Sequence, residues 1–283
     1  MFPCLSFAQG ASTSEEGAPL AERFSWLEYG AHVQNWGVAQ GPDGVVYSAN
    51  TSGVLEYDGD GWRLHTLPDS VRQLVRSVAV DPSGTVYVGG IGFVGYLAPD
   101  ESNTLRIESL VGHIAPGQRD FGDVWTTHVS RGGVVFQAAN RLFRWNGRRM
   151  QSWETGTRYH KAFRVGREVY VREEGVGLRR LEVDGLVTVA GGEAFADRKV
   201  FALLQHPRGL LAAVVDEGLV LLEPSGAETL LDGVASGYLR QFRPYAGVQI
   251  GGEGEPGAYA FGTFGGGVLV VDDGGRVERV YKE

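Results

Sequence analysis

Short apolar runs alternate with glycine-bearing turns along most of the chain. Trp36–Gln40 is a first run, and Pro42-Asp43-Gly44 breaks it. Val45–Ala49 follows, then Ser52-Gly53, then Val54–Tyr57, then Asp58-Gly59-Asp60-Gly61, then Trp62–Thr66. Aspartate–glycine steps favour tight hairpins because the turn needs positive φ, which glycine adopts without strain. The segment therefore predicts four short antiparallel strands in succession.

The same cadence predicts strands at 76–81, 85–89, 93–97 and 105–110, then at 124–129, 134–138, 142–145 and 150–154. A fourth unit covers 161–165, 168–172, 178–183 and 186–190, and a fifth 200–205, 210–214, 219–222 and 228–231. The sixth is read as 239–243, 259–262, 268–271 and 276–281. A marker of glycine, two or three apolar residues and an aromatic opens at 44, 84 and 133, with weaker copies at 167, 209 and 257. Four strands per repeat of roughly 40 to 50 residues is the range of propeller blades and is too long for a β-helix coil. Nowhere does a sustained i, i+3, i+4, i+7 pattern call for a long helix.

The expected fold is all-β: a β-propeller of four-stranded antiparallel blades, about six in this chain, either closed or part of an incomplete ring of six or seven. Residues 1–22 are read as residual signal peptide and lead-in, and 23–283 as propeller. The units fall at about 33–68, 75–111, 123–154, 160–191, 199–232 and 238–282. Residues 24–34 are an alternative source of a missing outer strand that would close six blades.

Composition sharpens this picture. Glycine fills 43 of 283 positions, about twice the usual share of roughly 7%. The net charge of −8, without a dense basic run, argues against nucleic acid as a partner. Cys4 is the one cysteine, so neither an internal disulfide nor a thiolate metal cage can form. No apolar stretch is long enough to cross a membrane as a helix. Ser6-Phe7-Ala8 places small residues as a signal cleavage site does, although the basic start of such a leader is missing.

Residues 44–68, 75–100 and 259–281 resemble the two-component regulator propeller repeat: an aspartate–glycine turn, an apolar-aromatic strand, a glycine pair, then a tyrosine–aspartate–glycine turn. The resemblance extends loosely over 33–283. Arg167 stands where the fourth unit should have glycine, and the fifth unit lacks the aromatic. The resemblance implies the extracytoplasmic, periplasmic sensor region of a bacterial receptor anchored in the inner membrane. In such receptors a β-sandwich, a membrane helix and an effector, often a histidine kinase, follow, and the whole protein dimerises. None of those parts lies in this chain, which is then an N-terminal fragment with no catalytic role and no cofactor.

Propellers bind ligands where inner strands converge on the channel. The strand-one entries are Asn35, Trp36, Arg76, Asp123, Trp125, Tyr159, His160, Lys199, Tyr238 and Arg240. Aromatic faces stack on sugars and arginine, amide and carboxylate groups hydrogen-bond hydroxyls, so a small molecule or oligosaccharide is the expected ligand. Two competing readings remain: a secreted lyase or hydrolase acting on carbohydrate or lactone, and a structural interaction scaffold. An acid–base pair from His113 or His128 with Asp120 or Asp123 would serve an enzyme. Asp58/Asp60 and Asp272/Asp273 read as hairpin turns rather than calcium ligands, and Gly265–Gly267 as a turn rather than a phosphate cradle. Trp62, Trp145, Trp153 and Tyr57 read as packing residues.

Overall fold

The computed structural model describes residues 22–231, 233–251 and 257–282. The leader reading, Cys4 included, falls outside those residues.

The protein is a six-bladed β-propeller, and each blade is a four-stranded antiparallel sheet made from four consecutive strands. Blade 1 holds β1 (Asn35–Gln40), β2 (Val46–Asn50), β3 (Gly53–Tyr57) and β4 (Trp62–His65). Blade 2 holds β5 (Val75–Val80), β6 (Val86–Gly90), β7 (Val94–Pro99) and β8 (Leu105–Ser109). Blade 3 holds β9 (Val124–Ser130), β10 (Gly133–Ala138), β11 (Arg141–Trp145) and β12 (Met150–Glu154). Blade 4 holds β13 (Tyr159–Val165), β14 (Glu168–Glu173), β15 (Gly177–Leu181) and β16 (Leu186–Thr188). Blade 5 holds β17 (Val200–His206), β18 (Gly209–Val214), β19 (Gly218–Leu222) and β20 (Glu228–Leu230). Blade 6 holds β21 (Pro244–Ile250), β22 (Ala258–Thr263), β23 (Val268–Asp272) and β24 (Val277–Tyr281).

The hairpins form where glycine admits left-handed backbone, as at Gly44 (φ 88°) and Gly84 (φ 89°). Asp58 secures its turn by accepting hydrogen bonds from the amides of Asp60 and Gly61, so it caps a hairpin. Asp272 does the same for the Arg276 amide.

Alternate residues of the middle strands fill the spaces between blades. Tyr47, Ala49 and Val54 of blade 1 meet Val75, Val78, Val86 and Val88 of blade 2. Leu211, Ala213 and Leu219 of blade 5 meet Tyr259, Phe261, Leu269 and Val271 of blade 6. From β1 through β5, β9, β13 and β17 to β21, each inner strand packs on the one that follows it in the chain. The seam between the last blade and the first is different: β21 packs on β17 but makes no comparable contact with β1. Val38 of β1 and Val248 of β21 accordingly stay 72% and 58% exposed.

Two expectations are corrected. The sixth unit does not open on a strand at 239–243, because Val234–Phe242 is helix α2 and the inner strand is β21. Ala235, Ser236 and Leu239 bury one face of that helix. The Ser236 hydroxyl donates to the Leu231 carbonyl and accepts from the Leu219 amide, tying the helix to blade 5. Residues 24–34 supply no outer strand. They form the short helix α1 (Trp26–Tyr29), and Phe24 and Tyr29 pack against Trp62.

The packing role expected of the tryptophans holds. Trp62 stacks on Tyr57, Trp145 is 8% exposed in the core, and Trp153 lies under the Arg144 guanidinium.

Candidate functional site

Every inner strand breaks register with its neighbour at the same place, one residue in from its start. Trp36 is skipped between the pairs Asn35–Asn50 and Gly37–Ala49. Arg76 is skipped between Val75–Gly90 and Ser77–Gly89. Trp125, His160, Phe201 and Tyr245 are skipped in the same way in blades 3 to 6. A bulge adds one residue against a shorter partner and re-aims its side chain. Six repeats of one bulge therefore turn six large side chains toward one mouth of the channel.

These side chains fall into two groups, each built round a cation. In the first, the Arg76 guanidinium lies 3.9 Å from the Trp36 ring centroid and 4.8 Å from that of Trp125. Its Nε donates to Asp123 Oδ1 at 2.7 Å. Arg76 Nη1 is buried without a hydrogen-bond partner. Trp36 Nε1 donates to Thr51 Oγ1, whereas Trp125 stays 41% exposed.

In the second group, the His160 ring meets Phe201 edge-on at 5.1 Å, and Phe201 lies 6.3 Å from Tyr245. Lys161, the residue after the bulge, reaches across blade 5 toward blade 6. Its Nζ donates to the carbonyls of Phe201 (3.0 Å) and Tyr245 (3.1 Å). The Phe201 and Tyr245 rings lie 5.5 and 5.7 Å from that ammonium. Burial pushes the Lys161 ammonium down to about 8. Burial, with Arg172 and Lys161 nearby, pushes His160 down to about 4, and its Nδ1 is buried without a partner. A recess of about 440 Å³ opens beside Phe201 between blades 5 and 6, lined by Lys199, Arg198, Arg243 and Phe264 among others.

The structure thus brings Trp36, Arg76, Asp123, Trp125 and His160 to one mouth, with Lys199 on the rim of the recess. It sets the other sequence-predicted residues elsewhere. The Asn35 carboxamide oxygen accepts from Ser48 Oγ and Asn50 Nδ2 inside blade 1. Tyr159 is 1% exposed, and burial pushes its phenol up to about 12, so it is a core residue. Tyr238 and Arg240 belong to α2, where Tyr238 donates to the Gly266 carbonyl and Arg240 to that of Glu217. Phe201, Tyr245 and Lys161 were missed. Lining up the second residue of each inner strand would have found the first; for Tyr245 the strand itself had been misplaced.

The acid–base pairing does not form. His113 packs on Trp145, the buried His128 bonds the Ala162 carbonyl, and Asp123 is engaged by Arg76. Among the described residues no cluster of three or more His, Cys, Asp or Glu could hold a metal ion.

No family model matches the sequence, and no curated protein matches it. Solved structures do. The extracellular domain of BT4673 from B. thetaiotaomicron, named as a hybrid two-component system, aligns at TM-score 0.57 and 16% identity over 83% of this chain and 31% of that one. This chain therefore spans about a third of that domain. Virginiamycin B lyase from Staphylococcus aureus aligns at TM-score 0.63 and 12% identity, over 88% of this chain and 84% of that one. The WD40 propeller of Doa1 aligns at 0.62 and 14%, over 87% and 81%. At such identities these likenesses establish the fold, which hosts many functions.

Proposed function

We propose that this propeller is the extracytoplasmic ligand-sensing part of a bacterial two-component-type receptor. The observation that carries this reading is the set of six bulged side chains at one mouth: two aromatic groups, each with a cation. Exposed Trp125 and Tyr245 offer faces on which a sugar ring stacks. Behind these faces Arg76 Nη1 and His160 Nδ1 are buried without a hydrogen-bond partner in the protein. The ligand class is a small molecule or oligosaccharide. The repeat pattern and the likeness to an extracellular sensor domain support the extracytoplasmic assignment. No helix among the described residues is long and apolar enough to cross a membrane. Binding would act by shifting populations: a ligand that touches several blades favours one ring geometry over another, and a dimeric full-length receptor would pass that bias to its effector.

The lyase reading draws less support. Of the acids at the mouth and its recess, Asp123 is paired with Arg76, Glu217 with Arg198 and Asp216 with Arg243, and His160 sits against an aromatic ring rather than a carboxylate.

The test is titration of a panel of oligosaccharides while following tryptophan fluorescence and heat of binding. A ligand should quench Trp125, and Trp125→Ala or Tyr245→Ala should weaken it about tenfold, the loss of about 1.4 kcal/mol of stacking. A ligand that binds both variants as tightly as the parent would overturn the site. A panel with no binder, together with turnover of a carbohydrate or lactone, would overturn the sensor reading.

A further inference from the structure

The opposite end of the channel has a different chemistry. There the inner strands run out into their hairpins. The turns of four successive blades, at Gly41-Pro42, Asp81-Pro82, Ser130-Arg131 and Gly166-Arg167, line one recess of about 380 Å³. Arg131, Arg164 and Arg167 all contribute to that lining and all are exposed. In a chain of net charge −8, three guanidinium groups round one small recess are a local inversion of sign.

Two acids, Asp81 and Glu168, offset this charge only in part. Arg131 stands 4.0 Å from Glu168, the outer limit of an ion pair, and both side chains are exposed. Among the described residues neither Arg164 nor Arg167 has a carboxylate within ion-pair reach. Asp81 is the one acid in the lining, and its Oδ1 already accepts from the amides of Ser83 and Thr85 and from the Ser83 hydroxyl. Guanidinium groups bind carboxylate, sulfate and phosphate oxygens through paired N–H donors, and converge usefully only on a ligand with several such oxygens.

We propose that this recess is a second binding site, for a compact anion carrying two or more acidic groups. It is separate from the aromatic mouth and does not depend on what that mouth binds. Because its walls come from four blades, an anion held there would bridge blades 1 to 4 at the end where only hairpins meet.

The test is calorimetric titration of the purified protein with citrate, inorganic phosphate and acetate at constant ionic strength. Saturable citrate binding is expected, with acetate at least tenfold weaker. Arg164→Glu with Arg167→Glu should abolish it, and the milder R164Q/R167Q pair should weaken it at least tenfold, with circular dichroism unchanged in both. The charge-matched pair R72E/R158E, placed before β5 and β13, should leave it intact. Equal binding of citrate and acetate, or citrate binding that survives R164E/R167E, would overturn the proposal. Loss in R72E/R158E alone would also overturn it, by placing the anion at the aromatic mouth.

Discussion

Arg76 of blade 2 lies over the Trp36 ring of blade 1, its guanidinium carbon 3.9 Å from the indole centroid, while its Nε holds Asp123 ahead of blade 3. One side chain thus joins three blades. Stacking contributes about 0.5–2 kcal/mol, more as the site dries, and a charge-assisted hydrogen bond contributes about 1.5–3 kcal/mol. Arg76→Met should lower the denaturation midpoint by the equivalent of about 2 kcal/mol with an unchanged m-value. Arg76→Lys, which keeps charge but loses the planar face, should fall between. Equal midpoints for all three proteins would show that the clasp adds nothing to stability.

Two histidines carry the pH dependence. Burial is the main cause that pushes both His128 and His160 down to about 4 in the folded protein, from an ordinary 6.5. Between pH 6.5 and 4 the unfolded chain therefore binds more protons than the folded one, and stability must fall as pH falls through that window. It is fully present above pH 6.5. His160→Gln should flatten the slope by about one proton's worth, and imidazole resonances of the parent should titrate near 4. A resonance for either ring moving at 6.5 would contradict the burial argument.

Lys161 works at the alkaline end. Its folded value of about 8 lies below the ordinary 10.5, so the unfolded state again holds the extra proton, and this group's contribution to stability rises as pH goes from 8 to 10.5. Lys161→Met should remove that rise. It also leaves the Phe201 and Tyr245 carbonyls without their ammonium donor, at a cost of about 1–3 kcal/mol near pH 7. Denaturant midpoints at pH 7, 8, 9 and 10 separate the two effects.

Much of the fold was legible because its hairpins are local. Gly44 and Gly59 sit at positive φ where aspartate–glycine steps predicted turns, and Gly84 does so at the end of Asp81-Pro82-Ser83. The runs between them became strands displaced by only a residue or two. Helix α2 was not legible. The apolar positions of 234–242 are too few to set a sustained helical period, and Gly233 and Gly237 argue against a helix, yet Ala235, Ser236 and Leu239 find a groove beside β19. Tertiary burial overrode local preference there. The true inner strand, with Pro244 and Gly247, read as loop. The mouth was half legible: its position follows from topology, but a bulge flips side-chain parity without leaving a mark in a single strand. Only the set Trp36, Arg76, Trp125, His160, Phe201 and Tyr245, compared across blades, betrays it.

Two glycines near α2 should respond oppositely to alanine. A Cβ on Gly266 would stand 2.6 Å from Phe242 Cγ, so Gly266→Ala should destabilise by about 1–3 kcal/mol through overpacking. Gly237, inside the helix, would meet nothing closer than the Arg240 Nη2 at 3.9 Å. Gly237→Ala should therefore stabilise by up to about 1 kcal/mol through helix propensity. Thermal melts of the two variants beside the parent check both signs.

Each sheet is complete in four consecutive strands, so among the described residues no blade borrows a strand from a distant part of the chain. During synthesis this allows every blade to close its own hydrogen bonds as soon as its fourth strand has left the ribosome. It then offers a finished apolar face to the blade that follows. Assembly of this kind proceeds by nearest neighbours, with low contact order and no wait for the far terminus. With no substantial packing of β21 on β1 to wait for, arresting synthesis after three or more blades should leave a folded, protease-resistant stack of those already made.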